Sequence, residues 1–334
     1  LAASTQAALV WYEGVCHHAA NATIAYGSGA PAKQLQYCCA KLGAVRLCVL
    51  ADGAAMSKRK LEEGIVTDLR ERLTYAGYLD LETLLTAQKP LSDPPHHDEM
   101  LFIIQHQVGE LWFKLMLHEL AAATRAVVDD DLRRASKTLA RVKQVQMQLI
   151  SQWSVLDSLT PTEYAEFRGV LGNASGFQSF QYRCIEFMLG NKMPEMLKLF
   201  RHDKLQHAEL EALLHAPGIF DEFLRCLYRR GHPIPAERIE RDWSQVPDAD
   251  ARVVEALRGV YTATERHWDI YEFCEKLVDL EQNFQVWRFR HVKAVERIIG
   301  YKPGTGGSSG VAFLRKVLEN EFFPELYQVR TAIG

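Results

Sequence analysis

Twelve histidines are the residues best able to bring metal or acid–base chemistry to this chain. Their spacing disposes of the common templates first. His-Glu-x-x-His, the two-histidine zinc helix, is absent. The Glu-x-x-His pair that a di-iron bundle repeats on two helices is also missing. The residues three before His106, His118, His207, His267 and His291 are Ile103, Leu115, Lys204, Thr264 and Arg288. Gly304-Thr305-Gly306 resembles a nucleotide loop only superficially. It follows a helical pattern rather than a strand and lacks the Gly-Lys-Ser/Thr ending.

Single histidines on apolar helix faces remain. His291 lies on the stripe Phe284, Trp287, His291, Ala294 or Val295, Ile298. A neutral imidazole there could offer its nitrogen to a haem iron, or could be a buried histidine bonded to a backbone carbonyl. His106 stands one turn after Phe102. It is either a polar group in an apolar pocket, able to bond a ligand N–H, or a packing histidine. Tyr164 and Arg168 are four apart and share a helix face. The Arg168 fork suits a carboxylate ligand, or it pairs with Glu163 or Glu166. His96-His97-Asp98-Glu99 reads as helix capping and dipole complement, not as a metal site.

These residues need helices to hold them. Asp93-Pro94-Pro95 breaks the chain before a helix that begins near Asp98. Leu101, Ile104, Val108, Leu111 and Leu115 recur at helical spacing and predict its buried face. A second amphipathic run carries Leu132, Ala135, Leu139, Val142, Leu149 and Trp153. Thr160-Pro161-Thr162-Glu163 predicts a capping box with Pro at the first helical position. Shorter helices are expected near 178–189, 194–200, 204–215 and 218–230. One long pattern spans about 250–299 and stops at Gly300. The glycine-rich stretch 302–310 has little preference for a fixed shape, and a last helix is expected over about 311–320. Strand alternation is scarce, so the fold class is all-α, a multi-helix bundle-like domain.

Composition agrees with an ordinary globular protein: 334 residues, 48% hydrophobic and 24% charged. A net charge of -3 gives no argument for nucleic-acid or membrane attraction, and no apolar run is long enough to span a bilayer. Seven cysteines, an odd number without Cys-x-x-Cys, argue against a disulfide framework or thiolate zinc site. With no basic-then-apolar signal pattern at the start, a cytoplasmic protein is expected.

Five ordered segments give these residues a common meaning. They are Leu73-Thr74-Tyr75-Ala76-Gly77-Tyr78-Leu79, the run from His96 to Gln107, the run from Gly172 to Ser179, Trp287-Arg288-Phe289-Arg290-His291, and the run from Gly304 to Gly310. From about residue 66 onward the chain resembles the tryptophan 2,3-dioxygenases. The resemblance implies a haem-binding all-α domain that uses O2 to cleave the indole C2–C3 bond of L-tryptophan, giving N-formylkynurenine, the first step of tryptophan degradation. It implies one haem b per subunit, ligated by His291, with Trp153, Ser175 and Gly176 as further cofactor contacts. His106 matches the distal histidine that accepts the indole N–H, and Phe102 and Tyr164 match pocket walls. Arg168 matches the carboxylate ligand, and Thr305 the residue contacting the ammonium group.

Tyr75, Tyr78 and Leu79 match residues that reach a neighbouring subunit's site, within a homotetramer built as a dimer of dimers. Residues 1–55 are unmatched. Because Met56 is followed by the polar run Ser57-Lys58-Arg59-Lys60, they read as an extension outside a single domain spanning 56–334, whose arm (about 56–95) serves a neighbour. A non-catalytic haem sensor or carrier on the same helices is the alternative function. A metal-free helical interaction module and a dioxygenase of other amino-acid or indoleamine specificity are further rivals.

Overall fold

In the computed structural model the described residues are 21–24, 33–36, 61–70 and 72–333. The remainder of the predicted 1–55 extension lies outside them. The chain divides into two compact units, Leu1–Tyr75 and Ala76–Gly334. In the first, β1 (Asn21–Ile24) pairs antiparallel with β2 (Lys33–Gln36), with Asn21 opposite Gln36. The predicted helical character therefore belongs to the second unit.

Two short helices come first, α1 (Tyr75–Tyr78) and α2 (Leu81–Leu85). Then come α3 (His97–Val128), α4 (Leu132–Ser151), α5 (Trp153–Leu156), α6 (Pro161–Arg168) and α7 (Phe180–Met188). Next are α8 (Lys204–Leu214), α9 (Ile219–Arg229), α10 (Ala236–Ile239) and α11 (Ala251–Thr262). The chain closes with α12 (Trp268–Ile299), α13 (Val311–Val317) and α14 (Pro324–Ala332). The segment Pro194–Phe200 is a 3-10 helix rather than an α-helix.

The two 32-residue helices, α3 and α12, pack with α4 to make the main core. On α4 the predicted face is the buried one: Leu132, Ala135, Leu139, Val142 and Leu149 all lie inside. Trp153 does not extend that helix but opens α5, after a break at Gln152.

On α3 the predicted face is only partly right: Leu101 and Leu115 are half-buried and pack on the apolar clusters, but the fully buried side is another. Its inward side is Gln105, Gly109, Phe113, Met116, Leu120 and Ala123. Ile104, Val108 and Leu111 are exposed, at 43%, 36% and 48%. The inward side of the first half opens with Gln105 and Gly109, which carry no apolar signal, while the aliphatic Ile104, Val108 and Leu111 face outward. Spacing alone favours the outer face; packing chose the one where Gly109 leaves room for close helix approach.

The pattern over 250–299 is two helices, since residues 263–267 interrupt it between α11 and α12. Its predicted stop holds: Gly300 ends α12 at φ 59°.

The rotation of α12 is fixed by a buried polar network. Arg288, one turn before His291, donates to the Glu186 carboxylate on α7 (3.3 Å) and to the Asn320 carbonyl (3.0 Å). Glu186 is also paired with Arg183 and accepts from Asn191 (3.1 Å). A buried ion needs partners of this kind to be tolerated. The network also holds the helix carrying His291 against α7.

Candidate functional site

A second apolar cluster forms where α3, α5, α6 and α12 meet. Trp153, Leu156, Leu159, Tyr164, Phe167, Ala294 and Ile298 are its buried members, with Phe102 and Trp287 packed on them. The candidate residues at 102, 153, 164 and 287, separated in sequence, thus share one neighbourhood. His106 and His291 join it through ring contacts. Phe102 lies 4.3 Å from His106 and 5.7 Å from Tyr164, and the Trp153 ring stacks on His291 at 4.9 Å, 11° from parallel.

The capping box that starts α6 is present: Thr160 accepts from Glu163 N–H while the Glu163 carboxylate accepts from Thr160 N–H. Glu166 is taken by His96, whose Nε2 donates to it at 2.7 Å while its Nδ1 accepts the Asp98 N–H. His96 is the N-cap of α3, as the sequence suggested. Both carboxylates that could have paired with Arg168 are therefore engaged elsewhere. Among the described residues Arg168 has no anionic partner. Its Nη2 donates to the Pro303 carbonyl at 2.6 Å, tying α6 to the glycine-rich loop. A half-buried guanidinium with unmatched charge suits a carboxylate ligand.

His291 keeps some accessible surface although protein surrounds it. A side chain that is deep yet accessible lines an opening. Burial lowers its pKa to about 4, with the nearby His106 acting in the same direction. The imidazole is neutral at physiological pH, the form that ligates metal. Neither of its nitrogens has a hydrogen bond among the described residues, which removes the reading of a carbonyl-bonded core histidine. The buried Trp153 Nε1 and Trp287 Nε1 beside it are likewise unpartnered. An unengaged neutral imidazole, flanked by aromatic faces and orphaned N–H groups, fits a planar macrocycle with polar edges. Among the described residues, no three His, Cys, Asp or Glu side chains converge on a metal position.

His106 is exposed, yet the protein around it lowers its pKa by desolvation, opposed by the Phe102 carbonyl and Glu110. Its Nδ1 lies 2.7 Å from the Phe102 carbonyl. A carbonyl can only accept, so Nδ1 carries the proton and Nε2 presents a lone pair. The backbone of α3 thus sets His106 as a hydrogen-bond acceptor. Tyr164 is buried, which raises its pKa and keeps its phenol neutral.

The stretch 302–310 has a definite shape, contrary to the expectation of none. Gly304 N–H donates to Ser308 O (3.0 Å) and Gly307 N–H to Gly304 O (3.1 Å). Gly310 sits at φ 62°, where a Cβ would meet the Lys302 carbonyl at 2.5 Å. Thr305 Oγ1 donates to the Ala174 carbonyl at 2.5 Å, and a Cβ on Gly306 would strike Ser175 at 2.8 Å. The motifs around 172–179 and 304–310 therefore pack on each other. Ser175 caps the 3-10 helix Gly176–Gln178 through the Phe177 N–H. Since the Thr305 hydroxyl spends its proton on Ala174, its oxygen is left to accept from a cation.

Tyr75, Tyr78 and Leu79 are exposed, Tyr75 at 77% and Tyr78 at 73%, and none enters the cluster. Sequence reading missed the Pro303 carbonyl that holds Arg168, which no residue type could have signalled. It also missed Gln152, whose buried Oε1 lacks a partner while its Nε2 would lie 3.1 Å from a Cβ at Gly109. No residue type marked it, since Leu149 and Trp153 keep helical spacing across that position.

The family model for tryptophan 2,3-dioxygenase matches residues 61–258 and 249–333. The tryptophan 2,3-dioxygenase of Kineococcus radiotolerans is 58% identical over 281 residues, 84% of this chain and 98% of its own length. That of Serratia proteamaculans is 58% identical over 279 residues, covering 84% of this chain and 100% of the relative. The Myxococcus xanthus enzyme of the same name is 57% identical over 278 residues, 83% and 96% of the two chains.

Proposed function

This chain belongs to the tryptophan 2,3-dioxygenase family, and from that premise we propose a residue-level reading of its chemistry. It is an enzyme that uses O2 to cleave the indole ring of L-tryptophan to N-formylkynurenine, and nothing favours a sensor or carrier. The observation that carries the residue assignment is the pair of neighbouring histidines with opposite tasks: His291 half-buried, unengaged and neutral, His106 oriented as an acceptor.

His291 would hold haem iron through one ring nitrogen, and Trp153, Ser175 and Gly176 would line the cofactor. The haem would supply the oxygen chemistry that amino-acid side chains lack. The protein's own work is orientation. His106 Nε2 accepts the indole N–H, Phe102 and Tyr164 wall the ring, Arg168 binds the carboxylate, and Thr305 accepts from the ammonium group. An indole N–H is a very weak acid, so His106 positions rather than deprotonates. With Arg168 and Thr305 on one amino acid, the loop closes the pocket to water.

Residues 56–334 form the working unit in this reading, with 1–55 outside it. Tyr75, Tyr78 and Leu79 serve a neighbouring subunit in a homotetramer. Their exposure supports a role outside the chain's own core. No helix among the described residues is long and apolar enough to cross a membrane. Cys184, Cys226 and Cys274 are free and buried, which supports a reducing cytoplasm as its place. The test is an absorption spectrum of reduced, haem-supplied protein before and after adding L-tryptophan and air. A Soret band followed by N-formylkynurenine absorbance is expected; a haem protein that leaves tryptophan unchanged would make it a carrier.

A further inference from the structure

One polar pair outside the pocket reaches the helix that carries Arg168. His96 caps α3, but a cap needs only one acceptor, which Ser, Asp or Asn supplies from a smaller side chain. The imidazole has a second nitrogen. Its Nδ1 accepts the Asp98 N–H (3.3 Å), so the proton is on Nε2, which donates to the Glu166 carboxylate on α6 at 2.7 Å. The backbone of His96 is itself held to α3. Its N–H donates to Ser92 Oγ (2.7 Å), and the Ser92 hydroxyl donates in turn to the buried Glu99 carboxylate. That carboxylate also accepts the Leu91 N–H (2.7 Å) and the Ser92 N–H (3.0 Å). The His96 ring lies 5.7 Å from Phe167, the buried residue between Glu166 and Arg168.

An eight-residue helix such as α6 takes its place from tertiary contacts rather than from its own backbone. Residues two apart are separated by about 200° around a helix axis, so Glu166 and Arg168 leave opposite sides of α6. A tether at Glu166 therefore sets the rotation at which Arg168 leaves the helix. The other constraint on Arg168 is the bond from its Nη2 to the Pro303 carbonyl (2.6 Å). A two-bond grip on a carboxylate must use the N–H groups that remain, and such a geometry tolerates little rotation. We propose that His96 is a positioning residue for substrate recognition: through Glu166 it fixes the rotation of α6 and so aims Arg168 at the substrate carboxylate. The inference rests on the assignment of Arg168 to that carboxylate. The Glu166 side chain is 58% exposed, so the pair contributes little to folding and its loss leaves α6 formed.

His96→Asn separates the two tasks, because an amide oxygen caps α3 but is too short to reach Glu166. Haem-loaded protein titrated with L-tryptophan and with tryptamine, followed by the ferric haem spectrum, reads the outcome. His96→Asn and Glu166→Ala should each weaken tryptophan binding about fivefold, the scale of one exposed pair. Tryptamine, which has no carboxylate, should bind both variants as it binds wild type. Glu166→Gln keeps an acceptor for the Nε2–H and should recover most of the loss. The double variant His96→Asn with Glu166→Ala should be no weaker than either alone, and His96→Asn should have no further effect once Arg168→Ala is present. If His96→Asn fails to load haem, Glu166→Ala, at an exposed position, carries the test. Wild-type affinity for tryptophan in both variants would overturn the tether. So would an equal loss for tryptamine, which would reduce His96 to a cap. Either result leaves the role of Arg168 standing if Arg168→Ala still weakens tryptophan binding. Unchanged tryptophan affinity in Arg168→Ala alone would instead refute that assignment, and the inference with it.

Discussion

Removing the His291 imidazole takes away the one side chain proposed to hold the iron, because the Trp153 and Trp287 rings beside it offer no ligating lone pair. His291→Ala is therefore expected to purify without a stable Soret band after haem supply while retaining its helical far-ultraviolet spectrum. A full Soret band in that variant would move the iron ligand elsewhere. Arg168 is a different case, since its proposed partner is the substrate and it touches the loop by one hydrogen bond. Loss of a desolvated, charge-assisted pair costs roughly 2–5 kcal/mol. Arg168 is only half-buried, so Arg168→Ala should weaken tryptophan binding by about 2 kcal/mol, roughly thirtyfold. Haem content should be unchanged, and tryptamine, which has no carboxylate, should bind wild type and variant alike. A tryptophan titration of the ferric haem spectrum reads this directly, and equal affinities would remove Arg168 from the site. At this scale the sequence offered each residue with its bland alternative beside it. Structure removed two of those alternatives by showing where Glu163 and Glu166 go and that His291 has no carbonyl.

Elements set these residues, and the loop at 302–310 is the most exacting of them. A Cβ at Gly310 collides with the Lys302 carbonyl and must adopt a φ that L-residues avoid. Gly310→Ala should displace the loop and with it Thr305 and the carbonyl that holds Arg168. We expect kcat/KM for tryptophan to fall about tenfold, equivalent to roughly 1.4 kcal/mol, with the Soret band intact. Wild-type kinetics would show that the loop plays no part. A second element-level device is Glu281 on α12, fully buried, whose carboxylate accepts the Phe322 N–H (2.7 Å) and the Phe323 N–H (3.0 Å). Burial pushes its pKa up to about 7. The folded chain thus binds this proton more tightly than the unfolded one. Glu281's contribution is fully present below the unfolded value near 4.5 and is lost as pH rises through about 7. His106 and His291 act oppositely over nearly the same range, because their lowered pKa values make stability fall as pH falls below about 6.5. The difference in melting temperature between wild type and Glu281→Gln isolates the carboxylate: it should change between about pH 4.5 and 7.5 and be flat above. A constant difference would mean that the carboxylate is ionised throughout. Most element boundaries were legible because capping and periodicity are local: the Thr160 box, the Gly300 stop and the buried face of α4 were all readable. The break at 263–267, the bend at Gln152 and the buried side of α3 were not, because each depends on what another helix presents.

At the scale of the whole molecule, the misread face of α3 acquires a meaning of its own. Met100, Ile104, Val108 and Leu111 lie exposed in successive turns on the side of the helix away from Phe113 and Met116. Scattered apolar side chains on a surface need no explanation, but a continuous ridge of large ones marks an interaction surface. The proposed homotetramer supplies a partner for such a ridge, and burying each Leu, Ile or Val there would contribute about 1.5–3 kcal/mol. Charge placed on that ridge has to be desolvated on association and should prevent it, while leaving the inward face of α3 untouched. The double variant Ile104→Glu with Leu111→Glu is therefore expected to sediment as a smaller species than wild type at the same concentration, with an unchanged helical spectrum. If the exposed Tyr75, Tyr78 and Leu79 complete a neighbour's pocket, the dissociated form should also lose tryptophan turnover while keeping its haem, since His291 and its surroundings lie within one chain. An unaltered sedimentation coefficient would place the subunit contacts away from α3. A dissociated species with full turnover would show that one chain is a complete enzyme and would release the arm from its proposed role.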